Sequence, residues 1–167
     1  VREVLKKQRE KILVGDFVDF ENGVIKNIIK RKNFIKRPSV ANIDQIIIVS
    51  ALKEPDLDLH QLNRYIALAK FYQIPTVLCF NKEDLKWDKQ LSHNIKNIYE
   101  PLGYRIVYTS ATEHKGLKNF EKLLENKTSV LCGNSGVGKS SLINAINPNL
   151  NLRTKEVSEK TQRGTHT

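Results

Sequence analysis

Eight consecutive residues, Gly133 to Ser140, have the composition of a phosphate-binding loop. They match the pattern G-x-x-x-x-G-K-[ST] between a predicted strand and a predicted helix. Glycines let successive backbone N–H groups turn toward a phosphate at the start of a helix. We expect Lys139 to reach the β- and γ-phosphates as the catalytic cation and the Ser140 hydroxyl to bind Mg²⁺. The predicted nucleotide contacts here are Gly133, Asn134, Ser135, Gly136, Val137, Gly138, Lys139, Ser140 and Ser141.

A second motif, Asn81-Lys82-Glu83-Asp84, follows another predicted strand and indicates which base is bound. The Asp84 carboxylate can accept from both the N1–H and the 2-amino group of guanine. Adenine presents a lone pair at N1 and no amine at C2, a mismatch that discriminates by roughly 10⁴ or more. By itself the string could be a solvated turn, but beside a phosphate loop it predicts guanine binding by Asn81, Lys82 and Asp84.

Thr109-Ser110-Ala111 follows a third predicted strand. In GTPases, a Ser-Ala pair at this place donates a backbone N–H to guanine O6 while the serine steadies the aspartate, so Ser110 and Ala111 are further predicted contacts. The tripeptide is too common to carry weight alone. The motifs occur in the reverse of the usual order, in which the phosphate loop comes first. Because a sheet can be cut and rejoined elsewhere when its termini are close, we predict a circularly permuted G domain.

A parallel sheet is needed to bring these motifs together. From Ala41 onward, predicted strands alternate with predicted helices, which is typical of an α/β fold with a mostly parallel sheet and helices on both faces. The carboxyl ends of such strands are where open α/β folds bind ligands. Strands are predicted at 46–49, 76–80, 106–108 and 129–132, and helices at 59–72, 89–99, 117–124 and 139–146.

The first part of the chain has a different pattern. Residues 12–35 alternate apolar and polar positions around Asn22-Gly23, which predicts short antiparallel strands joined by a tight turn. The chain has a net charge of +10, and residues 1–37 contain 11 Lys and Arg against 5 Asp and Glu. This concentration favours a surface for a polyanion such as RNA, although a solvated surface is the alternative. The candidate phosphate contacts are Lys30, Arg31, Lys32, Lys36 and Arg37.

Other features limit the class of protein. No apolar run approaches the roughly 20 residues that span a bilayer, and no signal-peptide core is seen, so we expect a cytoplasmic protein without a membrane partner. Cys79 and Cys132 each close an apolar run before a motif, and we interpret them as buried free thiols rather than a disulfide or metal site. Since the sequence starts at Val1 and stops in a polar stretch at Thr167, both ends are expected to be incomplete.

Taken together, these features resemble the RsgA (YjeQ) family of bacterial GTPases that depend on the small ribosomal subunit. The resemblance extends from about Gly15 to the last residue. It rests on the motif order, the basic β-rich segment and the stretches 31–33, 37–38, 40–44 and 164–167. It implies a partial OB-fold at 1–37, a permuted G domain at 38–167, and GTP or GDP with Mg²⁺ as ligands. The oligomeric state is open on the sequence, and we expect a monomer because nothing in it suggests an obligate dimer. It also implies hydrolysis stimulated by the small subunit and its rRNA, late in that subunit's maturation.

The resemblance further implies that Glu156 to Thr167 is the first switch. Thr167, or the threonine that should follow it, is the implied contact for Mg²⁺ and the γ-phosphate. His166 is the implied candidate for positioning the attacking water; contact with RNA or no role at all are the alternatives for a histidine in a basic terminal segment. A D-x-P-G motif and a C-terminal zinc domain are expected beyond this chain, so zinc is expected on neither cysteine. The other histidines are interpreted as solvated or capping residues: His60, His93 and His114.

Three functions remain open on the sequence alone. The first is a Mg²⁺-dependent GTPase switched on by the small ribosomal subunit. The second is a nucleotide-dependent rRNA-binding checkpoint, in which hydrolysis only resets the protein. The third is a P-loop kinase or ATPase, against which the Asn81 to Asp84 motif argues.

Overall fold

The computed structural model describes residues 11–86 and 88–154, which divide into two compact units, one ending at Asp44 and the other beginning at Gln45. The expected switch from Glu156 to Thr167, with His166 and Thr167, lies outside the described residues. The predicted assignment of 1–37 to an OB module and 38–167 to a G domain stays a prediction. Each unit is described by itself below.

The first unit consists of two small antiparallel sheets. Strands β1 (Val18–Glu21) and β2 (Val24–Ile28) form a hairpin, and β3 (Phe34–Ile35) pairs with β4 (Val40–Ala41). The hairpin turn is Asn22-Gly23, with φ of 49° and 74°. Positive φ at both central residues matches the twist of the flanking strands. The tight turn expected from the sequence is therefore confirmed, and the short antiparallel strands are consistent with an OB-like part.

Side-chain hydrogen bonds hold the first unit together. Arg31 Nε and Nη2 donate to the two carboxylate oxygens of Asp16 at 2.7 and 2.9 Å, and the Asp16 side chain is only 1% exposed. Asn33 binds the backbone of Ile43 in both directions, each bond being 2.8 Å long. Because a planar amide presents a donor and an acceptor side by side, it can pair with one residue's backbone as a neighbouring strand does.

The second unit contains a parallel sheet of four strands in the order β7-β6-β5-β8. These strands are β5 (Gln45–Ala51), β6 (Thr76–Asn81), β7 (Arg105–Tyr108) and β8 (Ser129–Cys132). Ile48 of β5 lies beside Leu78 of β6 and Cys132 of β8, so β5 is central. Successive side chains of a strand point to opposite faces, and all of β5 from Ile46 to Val49 is buried. Both faces of the sheet are thus covered, as its apolar sequence predicted.

Four helices accompany the sheet: α1 (Leu59–Phe71), α2 (Lys89–Tyr99), α3 (Leu117–Leu124) and α4 (Lys139–Ile146), followed by a 3₁₀ helix (Pro148–Leu150). Asp58 caps the start of α1 by accepting from the Gln61 N–H at 3.0 Å. Phe120 of α3 and Leu142 of α4 pack on Ile47, Val49 and Cys79 in one apolar core. None of the described helices has the length and apolar character needed to cross a bilayer.

Candidate nucleotide-binding site

The strand order places the three sequence motifs at one edge of the sheet. Asn81 is the last residue of β6, Thr109 follows β7, and Gly133 follows β8. Each neighbouring pair of strands is parallel, so all four strands run in the same direction and their carboxyl ends share an edge. Only β5 separates β6 from β8, which puts the two motifs about 10 Å apart at the strand spacing of ~4.8 Å. The reversed order along the chain therefore does not separate the motifs in space.

The buried side chain of Asn81 joins the three motifs directly. Its Nδ2 donates to the Val137 carbonyl in the phosphate loop at 3.0 Å. Its Oδ1 accepts from Thr109 Oγ1 at 3.1 Å and from the Ala111 N–H at 3.3 Å. Asn81 is 1% exposed, and its bonds to Val137 and Thr109 are shielded from water, whereas the bond from Ala111 is partly buried. One amide thus fixes the phosphate loop relative to the base-reading residues.

The carboxylate that would read the base is also held in place. Ser110 Oγ donates to Asp84 Oδ1, which is the bond expected between the serine and the aspartate. Ser110 is fully buried, and its hydroxyl also accepts from the Glu113 N–H at 3.0 Å. The Glu83 N–H donates to the Thr109 carbonyl at 3.0 Å, which ties the two loops through their backbones. Asp84 is therefore oriented by a neighbour that cannot itself move freely.

The phosphate loop is built on glycines in conformations that other residues rarely adopt. Gly133 and Gly138 have φ of 143° and 90°. A Cβ on Gly133 would lie 2.0 Å from the Val49 carbonyl oxygen, and one on Gly138 would lie 2.3 Å from Asn81 Nδ2. Val137 between them is 3% exposed and belongs to the core. The loop is thus a close-fitting backbone cradle that leads straight into helix α4, as a phosphate site requires.

Lys139, the first residue of α4, folds back over this cradle. Its ammonium donates to the carbonyl oxygens of Gly133 and Asn134 at 2.9 and 2.7 Å. Burial lowers the pKa of Lys139, and the nearby Cys132 acts in the opposite direction. Burial also raises the pKa of the Cys132 thiol to about 11. A positive charge is therefore fixed at the loop where phosphate oxygens would arrive, while the neighbouring thiol keeps its proton at neutral pH.

Lys82 points elsewhere. Its ammonium donates to the Glu54 carbonyl in the loop between β5 and α1, and its backbone has a φ of 66°. Burial lowers the pKa of Lys82, whereas the charges of Glu54 and Asp84 raise it.

An open cleft of about 350 Å³ lies between the loop that follows β7 (residues 109–114), here called the base-reading loop, and helix α4, which starts at the phosphate loop. Ala111, Thr112 and His114 line one side, and residues of α4, including Ser141, line another. This volume is within the range of small-molecule sites. The sequence motifs did not single out His114 or Asn144, which also line the cleft, because neither residue belongs to a recognisable pattern.

The structure brings most of the predicted site residues together. It brings Asn81, Asp84, Ser110, Ala111 and the loop from Gly133 to Lys139 together, with Ser140 and Ser141 in the first turn of α4. Within residues 11–86 and 88–154, no group of three or more His, Cys, Asp or Glu could hold a metal ion. The Ser140 hydroxyl beside the cradle fits Mg²⁺ bound jointly with phosphates, which needs no such group.

Apart from the burial of Cys132, the cysteines and the remaining histidines agree with their simplest interpretations. Cys79 and Cys132 are both free thiols, as expected. Cys79 is buried, but the predicted burial of Cys132 is wrong, because this residue at the end of β8 is only half-buried. Burial raises the pKa of Cys79 to about 12. His60, His93 and His114 are exposed, as expected for solvated residues.

Known proteins of similar sequence and structure point to one family. The profile of the RsgA GTPase family matches residues 28–167. The protein named small ribosomal subunit biogenesis GTPase RsgA from Thermotoga petrophila is 43% identical over 100% of this chain, which covers 59% of that relative. The protein of the same name from Agathobacter rectalis is 38% identical over 97% of this chain and 56% of its own length.

Two solved structures are also similar. The crystal structure of YjeQ from Thermotoga maritima has a TM-score of 0.82 and 40% identity, over 92% of this chain and 58% of that one. YloQ, described as a circularly permuted GTPase, has a TM-score of 0.71 and 33% identity, over 88% of this chain and 54% of that one. The chain thus spans little more than half the length of these relatives. It belongs to the RsgA GTPase family and has the fold of a circularly permuted GTPase.

Proposed function

We propose that this chain is the nucleotide-binding part of a Mg²⁺-dependent GTPase that acts on the small ribosomal subunit late in its maturation. The observation that carries the proposal is the buried amide of Asn81, which bonds to the phosphate loop at Val137 and to the base-reading loop at Thr109 and Ala111. A pocket that reads both ends of one nucleotide needs such a connection. The names of the relatives support the proposed role in subunit biogenesis.

Guanine selectivity is assigned to Asp84 with Ser110. A carboxylate held by a buried hydroxyl can accept two parallel N–H bonds from guanine without paying to become ordered. Against adenine, the same fixed charge would face a lone pair and lose its solvation. Lys82, two residues before Asp84, would contact the base, and the Ala111 N–H, now 3.3 Å from Asn81 Oδ1, would turn to guanine O6.

Phosphoryl transfer asks mainly for positioning and charge stabilisation. The backbone of the loop from Gly133 to Gly138 would orient the phosphates, and Lys139 would exchange its two carbonyl partners for β- and γ-phosphate oxygens. When bound at Ser140, Mg²⁺ supplies further charge neutralisation. Thr167 as a second metal contact and His166 as the residue that positions water remain proposals. Hydrolysis by the free protein would be slow, and the small subunit would accelerate it.

The basic first unit is the proposed contact for rRNA, but its charges are not equivalent. Arg31 is paired with the buried Asp16, and Lys32 donates to Asp44 at 2.7 Å. Within the part of the chain that the structure describes, Lys30, Lys36 and Arg37 form no salt bridge, so they can meet phosphates without breaking one. Of the five candidate phosphate contacts named from the sequence, we therefore propose these three as the principal ones. We propose that the protein acts as a monomer in the cytoplasm.

The test is a change of the base-reading carboxylate. Asp84→Asn replaces one of the two acceptor oxygens with an N–H donor, which suits the 2-oxo group of xanthine and no longer suits the 2-amino group of guanine. We expect the variant to prefer XDP over GDP in competition titrations, while ATP remains a poor competitor for both proteins. A variant that kept its preference for GDP would refute the assignment of the base site. Measuring binding to small subunits with GDP, GTP and a non-hydrolysable GTP analogue would then show whether hydrolysis does more than reset the complex.

A further inference from the structure

The segment that leaves helix α4 is fastened back onto the helix by one side chain. Asn144 Nδ2 donates to the Leu152 carbonyl at 2.8 Å, and Asn144 Oδ1 accepts from the Leu152 N–H at 2.8 Å. The 3₁₀ helix and Asn151, whose φ is 42°, reverse the chain between the two residues. Since both bonds join one planar amide to one residue's backbone, they fix the position and the direction of the chain at Leu152. We call this pair of bonds the Asn144 clamp.

The clamp lies at the cleft between the base-reading loop and α4. Asn144 lines this cleft one helical turn beyond Ser141, and Thr154 lines it from the clamped segment. His114 lines it from the base-reading loop. Thr154 is only two residues past Leu152, so its place in the cleft depends on where the clamp holds the chain.

Local helix stability gives no reason for this arrangement. Asparagine is a poor helix former because its side chain competes for backbone hydrogen bonds. Here the amide of a half-buried Asn144 makes both of its bonds outside its own helix. The same two-way pairing occurs between Asn33 and Ile43, where it fastens two parts of the first unit. The geometry thus serves to place a distant backbone segment rather than to support α4.

We propose that Asn144 is a positioning residue for the nucleotide: it holds Thr154 at the cleft that His114 also lines, where both residues contact the nucleoside part of a bound guanine nucleotide. This inference rests on the proposed function and adds residues outside its motifs. A nucleotide that contacts Thr154 favours the clamped chain. By reciprocity, losing the clamp must weaken nucleotide binding by the same factor that the nucleotide stabilises it.

The experiment compares two asparagines of the same region in the full chain. Asn144→Ala removes both clamp bonds, whereas Asn149→Ala removes an exposed amide on the 3₁₀ helix whose side chain makes no hydrogen bond within the described residues. We expect the dissociation rate of tritiated GDP to rise roughly 5- to 30-fold in Asn144→Ala, a factor within the range typical of coupling between two linked sites. It should change less than about 2-fold in Asn149→Ala.

Thermal unfolding separates positioning from support of the fold. Without nucleotide, Asn144→Ala should lower Tm only by the loss of the two clamp bonds. The increase in Tm caused by GDP should in addition shrink in Asn144→Ala and stay parental in Asn149→Ala. Asn144→Asp, which keeps the acceptor and puts a carboxylate against the Leu152 carbonyl, should release GDP at least as fast as the alanine variant. Parental release rates in both Asn144 variants would overturn the inference, as would an equal loss of Tm with and without GDP. Failure of the parent protein itself to bind GDP would instead refute the proposed function.

Discussion

Adding one methyl group at Gly138 should unfasten Asn81 from the phosphate loop. An alanine Cβ would lie 2.3 Å from Asn81 Nδ2, far inside van der Waals contact, and the backbone φ of 90° is itself unfavourable for alanine. Asn81 is buried at the end of β6, so the collision must displace its amide or distort the loop. Either response breaks the connection between the two halves of the candidate site.

The expected cost follows from these contacts. Left-handed backbone strain in a non-glycine residue costs about 1–2 kcal/mol. Displacing Asn81 also loses its bonds to Val137, Thr109 and Ala111, each contributing about 0.5–1.5 kcal/mol. Gly138→Ala should therefore lower the free energy of unfolding by about 3–6 kcal/mol. Gly103→Ala is the matched control, because Gly103 has a φ of 82° and nothing within 4 Å of an added Cβ; it should cost only the strain, about 1–2 kcal/mol.

Urea unfolding without nucleotide measures these losses in the free energy of unfolding, with no contribution from changed nucleotide binding. A double-mutant cycle with Asn81→Ala then isolates the collision, since Gly138→Ala has less to displace once the amide is gone. The double variant should be more stable than the sum of the single changes implies, by about 1–3 kcal/mol. Strictly additive costs, or a Gly138→Ala variant as stable as Gly103→Ala, would show that Asn81 does not couple the phosphate loop to the base-reading loop.

Three other outcomes can be checked separately. Lys139→Ala should reduce subunit-stimulated GTP turnover at least about 100-fold, because the positive charge at the phosphates is lost. Phosphate-release assays would detect any remaining turnover. A turnover rate equal to that of the parent protein would mean that the phosphate loop is misassigned. Glutamine in place of the three cations that lack a salt bridge, Lys30, Lys36 and Arg37, should make rRNA affinity depend less steeply on salt in filter-binding assays. The salt slope should fall by up to about 2 if each cation contacts a phosphate. An unchanged slope would mean that the three are ordinary solvated residues. The hydrogen bond from Arg31 holds the pKa of Asp16 below its usual value, so this pair stabilises the fold above the unfolded pKa of about 3.9 and stops doing so as pH falls through the lower folded value. Arg31→Gln should therefore lose stability at neutral pH and show a flatter decline below about pH 4 in thermal unfolding, and parallel pH curves would contradict the pairing.

Contiguous motifs were the most predictable part of the site. The phosphate loop could be read from the sequence because its glycines, Lys139 and Ser140 are neighbours in the chain, and a local backbone shape depends mainly on local residue types. The β-branched run of β5 and the alternation of strands with helices predicted a parallel sheet for similar local reasons. The observed bounds differ from the predicted ones by only a few residues at each end.

Contacts between distant residues were not predictable in this way. Asn81 and Val137 are 56 residues apart, and no spacing rule connects a strand-end asparagine to that particular carbonyl. In the sequence, Arg31 looked like one more cation in a basic run. Only the fold shows that it forms an ion pair with the buried carboxylate of Asp16, 15 residues away. The Asn144 clamp was missed because a polar residue on a helix usually indicates a solvated face.

The central place of β5, between β6 and β8, also affects how the protein is made. The base-reading strands leave the ribosome first, and the edge beside β5 stays unpaired until Ser129–Cys132 has been synthesised. At ~5–20 residues per second, the interval between translating Asn81 and translating Lys139 is on the order of seconds. During that time the edge of β5 that later pairs with β8 has no partner strand, and the phosphate loop that would bind GTP has not yet been made. Arrested chains that end before Ser129 should accordingly bind no GDP, whereas chains carrying α4 beyond the exit tunnel should.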